Sequence, residues 1–324
     1  MKVAHLVGVA ILALPIVAGA IITPVNAQVS SKETIPTEKP DWEVAAGKKL
    51  SFEVATVKSN TSDDSPTVNF TLGPGAAYAD TGGRFLASNI SLLDYIRFAY
   101  KLTDGQVEIM RVSAPNWMAA KRFDIQAKSE IQNPTKDQMR LMMQSLLAER
   151  FKLVVHSETR ELPVLALVLV SPGRLGPHLR RHAPEDTACS SIMTPANKDS
   201  EPTLTLEIPT VCGALISVGV PSAPSHVRIG GRKAPLELLA AHLGEMGHYD
   251  RPIVDQTGLS GTFDLVLEWG PDSVPDSPNS PIHDDGQSIL QEALKDQLGL
   301  KLERKKAPST ILLIDHLEEQ PTVN

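Results

Sequence analysis

The same succession of segments is read twice along this chain, and that repetition restricts its fold more than any other feature. Residues 89–170 give an amphipathic helix, a strand through Phe123-Asp124-Ile125, a second helix and two apolar strands. Residues 235–315 give a helix, a strand through Phe263-Asp264-Leu265, a helix and two strands again. A duplicated compact unit accounts for an architecture without requiring a catalytic centre. Helices and strands that do not strictly alternate favour an α+β arrangement. The expected fold is two tandem related modules, 49–172 and 227–318, with helices packed on small mixed or antiparallel sheets.

Local signals support the helices. Ser91 and Asp94 form a capping pair, with Ile90 and Tyr95 as a hydrophobic staple. Thr135 and Gln138 open the strongest helix, whose Met139, Met142, Met143, Leu146 and Leu147 keep the spacing of a buried face. Pro235 suits the first turn of a helix facing inward through Leu236, Leu239, Ala240 and Leu243. Residues 151–155 and 162–170 read as a hairpin around Glu158-Thr159-Arg160-Glu161, and 300–303 with 310–315 as its counterpart. The unbroken apolar run at 162–170 predicts a strand covered on both faces. A Pro/Asp/Ser-rich stretch, 270–286, reads as a mobile loop, and 319–324 as a tail.

Residues 1–27 have the layout of an export signal. Lys2 precedes an apolar run from Val7 to Ile22, and Val25-Asn26-Ala27 offers a small-residue cleavage site. An uncleaved anchor is the alternative, because the run approaches the length of a membrane span. Cleavage leaves no later segment that could cross a bilayer and places the protein in the periplasm or outside the cell. A polar linker, 28–48, follows. The formal net charge of −7 lacks the clustered basic face that nucleic acid requires. Cys189 and Cys212 lie in a proline-rich connector, 173–226; an even count in an exported chain favours their pairing.

The chemistry-bearing motifs are mostly missing. There is no Gly-x-Ser-x-Gly elbow, no phosphate-binding loop and no dinucleotide fingerprint. His242 and His248 stand six apart, on different helical faces, and lack the His-Glu-x-x-His order of a zinc helix. His178, His182 and His226 read as solvated loop residues, and His156 and His316 as strand-end partners of acids. Asp124 and Asp264 hold matching positions and read as outward-facing residues on strands whose Phe points inward. No catalytic residue, cofactor or metal site is expected. Asn116, Trp117 and Trp269 are the candidate partner contacts, since a loop tryptophan can anchor a partner or cap its own core.

Several strings resemble one family in combination: Gly83-Arg-Phe-x-Ala-x-Asn-x-Ser-Leu, Pro115-Asn-Trp, Leu147-Ala-Glu-Arg-Phe-Lys-Leu and Asp255-Gln-Thr-Gly-Leu-Ser-Gly-Thr-Phe-Asp. Over roughly 50–318 the chain is similar to the soil-associated exported family of unknown function expanded in Acidobacteria. The resemblance implies no established activity. Relatives fused to a membrane metallopeptidase of the antibiotic-sensor type imply a sensing or partner-binding role at most. The expected function is an exported binding, sensing or scaffold protein whose partner is an envelope protein or a small ligand. A hydrolase of cell-wall or extracellular polymer, drawing on Asp124 or His156, is the alternative.

Overall fold

The computed structural model describes residues 39–186, 192–193, 211–247, 249, 251–270 and 285–322. The export signal, most of the linker, Cys189, His248 and nearly all of the 270–286 loop lie outside them. Helix α1 (Asp41–Ala46) is followed by strands β1 (Val54–Asn60), β2 (Thr67–Val68), β3 (Tyr78–Ala79) and β4 (Arg84–Ser91). Helices α2 (Leu92–Ala99), α3 (Asp104–Ser113) and α4 (Trp117–Ala120) lead to β5 (Arg122–Lys128) and α5 (Lys136–Arg150). Next come β6 (Val154–Leu169), β7 (Leu179–Arg181), β8 (Ile192–Met193), β9 (Ala214–Val220) and β10 (Ala223–Ala234). The remainder is α6 (Leu236–Gly247), β11 (Ile253–Asp255), β12 (Phe263–Trp269), α7 (Asp285–Ala293) with a π-helical turn Leu294–Leu298, and β13 (Leu300–His316).

The fold is α+β. One antiparallel sheet has the order β1-β5-β4-β2 and another the order β7-β12-β10-β9. In each, the strands in chain order lie first, fourth, third, second. Alternating burial along β5 turns Phe123, Ile125 and Ala127 onto a core shared with α2 and α5. On the second sheet Phe263, Leu265 and Leu267 meet Leu239, Leu243 and Leu294. The segment read as a connector is therefore structural: it supplies β7, β9 and the start of β10. Within the stretch read as a linker, α1 lies against α5, with Gln144 donating to Glu43 at 2.6 Å.

The largest departure from expectation is the absence of both hairpins. Strands β6 and β13 each run straight through the predicted turns and pair with each other, residue 169 opposite 300 and residue 154 opposite 316. Glu158-Thr159-Arg160-Glu161 pairs with 308–311 in mid-ribbon. Its polarity marks a solvent-facing stretch of a straight strand, since no Gly, Asn or Pro is present to turn the chain. On one side of that stretch Leu312 and Val155 join the first core; on the other Leu165, Leu167 and Leu300 join the second. Residues Val164–Leu167 are buried on both faces, where β11 adds in parallel on the far edge of β6.

Ser91 caps α2 as the sequence signals, its Oγ accepting the Asp94 amide at 3.1 Å. Helix α7 begins instead at Asp285, ahead of the Ser288–Gln291 pair that reads as a capping box in the sequence. Thr135 and Gln138 form a reciprocal capping box, and a second box, Thr103 with Gln106, opens α3. Entry into β6 uses Lys152 at φ 52°, and entry into β13 uses Gly299 at φ 69°. No helix among the described residues is long and apolar enough to cross a membrane.

Candidate functional site

The first two turns of α5 point two cations into the interior. Lys136, Arg140, Met143 and Leu147 share one helical stripe, so a lysine and an arginine occupy positions the periodicity assigns to apolar residues. Arg140 is fully buried. It pairs with Asp137, and its Nη2 donates to the carbonyls of Gly73 at 2.9 Å and Gly75 at 3.0 Å, fixing that loop. The same loop docks on the second half of the chain, the Ala76 amide donating to the Gly213 carbonyl at 3.1 Å.

Behind this loop is a cavity of ≈ 360 Å³ lined by Thr71, Arg97, Lys136, Ser217, Leu238 and His242. A neighbouring hollow of ≈ 950 Å³ shares Pro74, Gly75, Thr103, Leu238 and Ala241 with it and reaches Trp42, Lys101 and Lys233. The cleft thus lies between the two cores. Three of its cations differ in how they are balanced. Arg97 pairs with Asp104 at 2.6 Å and Lys101 with Asp137 at 3.4 Å. Among the described residues Lys136 donates only to neutral oxygens, Thr71 Oγ1 at 3.4 Å and the Ala77 carbonyl at 3.3 Å. Burial pushes its ammonium down to about 7; nearby Arg140 adds to the effect and Asp137 opposes it. Ser217 Oγ stands 2.8 Å from His242 Nε2 on the opposite wall.

The residues singled out from sequence fall elsewhere. Trp117 opens α4 and is half-buried against the first core, while Asn116 beside it is exposed without a capping bond. Trp269 ends β12 against the second core and borders a shallow hollow with His178, His226 and Glu268. His156 sits exposed on the ribbon, its Nδ1 2.7 Å from Asp315. The structure does not bring these residues together. No described cysteine is free, and the partner expected for Cys212 lies outside the described residues.

Asp124 alternates outward from Phe123 and Ile125 as expected but is half-buried, whereas Asp264 is buried rather than on the surface. Asp124 Oδ1 accepts from Asn60 Nδ2 at 2.8 Å, Ser88 Oγ at 2.8 Å and the Asn89 amide at 2.9 Å. Asp264 is 2 % exposed and accepts from the Lys233 amide at 3.0 Å and Arg180 Nε at 3.3 Å, with His182 Nδ1 at 2.8 Å. Burial raises each carboxyl, and the surrounding donors more than reverse that, holding both below the usual range.

Lys136 could have been found in the sequence. A lysine in the first turn of a helix opposes the macrodipole, and here it also stands on the apolar stripe.

Two small antiparallel sheets, each carrying helices on one face and joined by a shared ribbon, define the class to which the molecule belongs. The chain belongs to a protein family of unknown function, DUF3738, whose model matches residues 93–317. No curated protein and no solved structure matches the chain.

Proposed function

We propose that this chain is an exported envelope protein that binds a small anionic ligand in the cleft between its two cores. The observation carrying the reading is Lys136, a buried ammonium on a cavity wall whose hydrogen bonds among the described residues go only to neutral oxygens. A ligand carboxylate or phosphate would supply the missing countercharge, and Leu238 and Ala241 an apolar wall. The leader-like residues 1–27 and the even cysteine count support export to the periplasm or beyond. A Cys189–Cys212 bridge belongs to the same reading and would contribute about 3 kcal/mol. Calorimetric titration with a panel of small carboxylates and phosphate esters tests it. Wild type should bind at least one member and the Lys136→Met variant should lose it; equal binding by both would refute the assignment.

A hydrolase is the second reading, favoured by the Ser217–His242 contact lining the same cavity. Ester hydrolysis that survives Ser217→Ala would remove it. Asp124 and His156 do not support that reading, because Asp124 is held by Asn60, Ser88 and Asn89 and His156 faces Asp315, neither of them meeting Ser217 or His242.

A further inference from the structure

The two four-stranded sheets end on β1 and β2 in one and on β7 and β9 in the other. Edge strands invite further pairing, and proteins blunt them with short lengths, charge or proline. β2 has only two residues, β1 carries Lys58, and β7 carries Arg180 and Arg181. β9 has none of these guards: its seven residues, Ala-Leu-Ile-Ser-Val-Gly-Val, hold no charge and no proline. Pairing with β10 occupies one side of it, and among the described residues no strand lies on the other.

That open side faces the cleft. Four consecutive β9 residues, Ala214 to Ser217, line the ≈ 360 Å³ cavity, whereas a cavity against one face of the strand would meet every second residue. The cavity therefore runs along the edge, where alternate residues turn their amides and carbonyls outward. Helix α6 forms the adjoining wall with Leu238 and His242, and the 2.8 Å contact of Ser217 Oγ with His242 Nε2 holds it beside the strand. At the other end a loop joins strand and cation. The Ala76 amide donates to the Gly213 carbonyl at 3.1 Å, and the Ala77 carbonyl accepts from Lys136 Nζ at 3.3 Å. A chain laid on this edge meets the ammonium as it reaches Gly213.

We propose that the anion bound in this cleft is the C-terminal carboxylate of a peptide, laid as an extra antiparallel strand along Ala214–Ser217. The assignment rests on the reading that Lys136 binds an anion, and adds what carries the charge. A peptide backbone supplies the donors and acceptors that the outer side of β9 lacks, and its terminal carboxylate supplies the countercharge beside Lys136. Direction follows from the layout: β9 runs away from Gly213, so a chain that ends at Lys136 runs opposite to it. The last side chains pass Leu238, whose apolar surface suits alanine or leucine.

The test is calorimetric titration of the full chain with N-acetylated peptides of one, two and three residues built from alanine and leucine. Affinity should rise at least about tenfold from one residue to three, as strand hydrogen bonds accumulate. Amidating the end of the three-residue peptide, or N-methylating its backbone, should each cost at least about tenfold. Lys136→Met should erase the preference for acid over amide, and hydrogen exchange at 214–217 should slow only with the free acid. Amidated peptides ending in aspartate separate a side-chain carboxylate from a terminal one. Amidated peptides of either kind binding as tightly as the free acids would overturn the proposal. Small carboxylates that need Lys136 but gain nothing on lengthening would overturn it and leave the anion cleft in place. Silence from every acid, short or long, would remove both.

Discussion

Asp124 and Asp264 hold the same kind of backbone irregularity in two different sheets. Each accepts the amide of a residue in the left-handed region: Asn89 at φ 57° for the first, Lys233 at φ 51° for the second. Both residues sit where the register of their strand slips against the central strand, between Ala87 and Ile90 and between Gly231 and Ala234. The slip re-aims the chain into the helix that follows. A lysine there is strained, and a buried carboxylate on its amide offsets the cost.

Asp264→Asn should therefore destabilise the protein by about 3 kcal/mol at neutral pH, the range for breaking a buried charged pair. Asp124→Asn, less buried and held by neutral donors, should cost about 1 kcal/mol. Because the folded carboxyls titrate below their unfolded values, this stability is present above about pH 4 and disappears as pH falls through the lower, folded values. Urea melts at pH 7 and at pH 3 check both statements: the gap between Asp264→Asn and wild type should shrink in acid.

Lys136 titrates in the opposite sense. Its folded value of about 7 lies below that of an unfolded lysine, so between pH 7 and about 10 the unfolded chain binds the extra proton. Stability should rise with pH across that window, at a slope approaching about 1.4 kcal/mol per unit. Lys136→Met removes the slope and should leave the protein at least as stable as wild type at pH 6. Thermal melts between pH 6 and pH 10 would decide; a wild-type curve as flat as that of the variant would contradict the buried placement.

The ribbon of β6 and β13 should make the two cores unfold as one. Leu312→Ala removes a side chain from the first core and Leu300→Ala one from the second. Each should cost about 2–5 kcal/mol and lower a single transition. Trp117 reports on the first core and Trp269 on the second, so fluorescence and circular dichroism should give coincident curves for both variants. Separate transitions would show that the ribbon does not couple the halves.

The helices were legible because capping boxes and 3.6-residue stripes are local, and Thr135 with Gln138 carries its own signature. Strand β5 was legible for the same reason, its Phe123 and Ile125 alternating with polar neighbours. Pairing was not, because nothing within 154–169 says that its partner lies about 150 residues away, and the charged centre of the strand imitates a turn. β7 was hidden in a proline-rich stretch that reads as a connector, which concealed His182 as well. Burial of Lys136 contradicts residue type; only its position on an apolar stripe betrays it.

The interlaced ribbon also bears on ancestry and engineering. Since one long strand from each half crosses into the hydrophobic interior of the other, a cut between residues 170 and 173 would yield fragments each missing an edge. Such a molecule is inherited, transplanted or lost as a whole, and any fusion that borrows from it must carry both strands together.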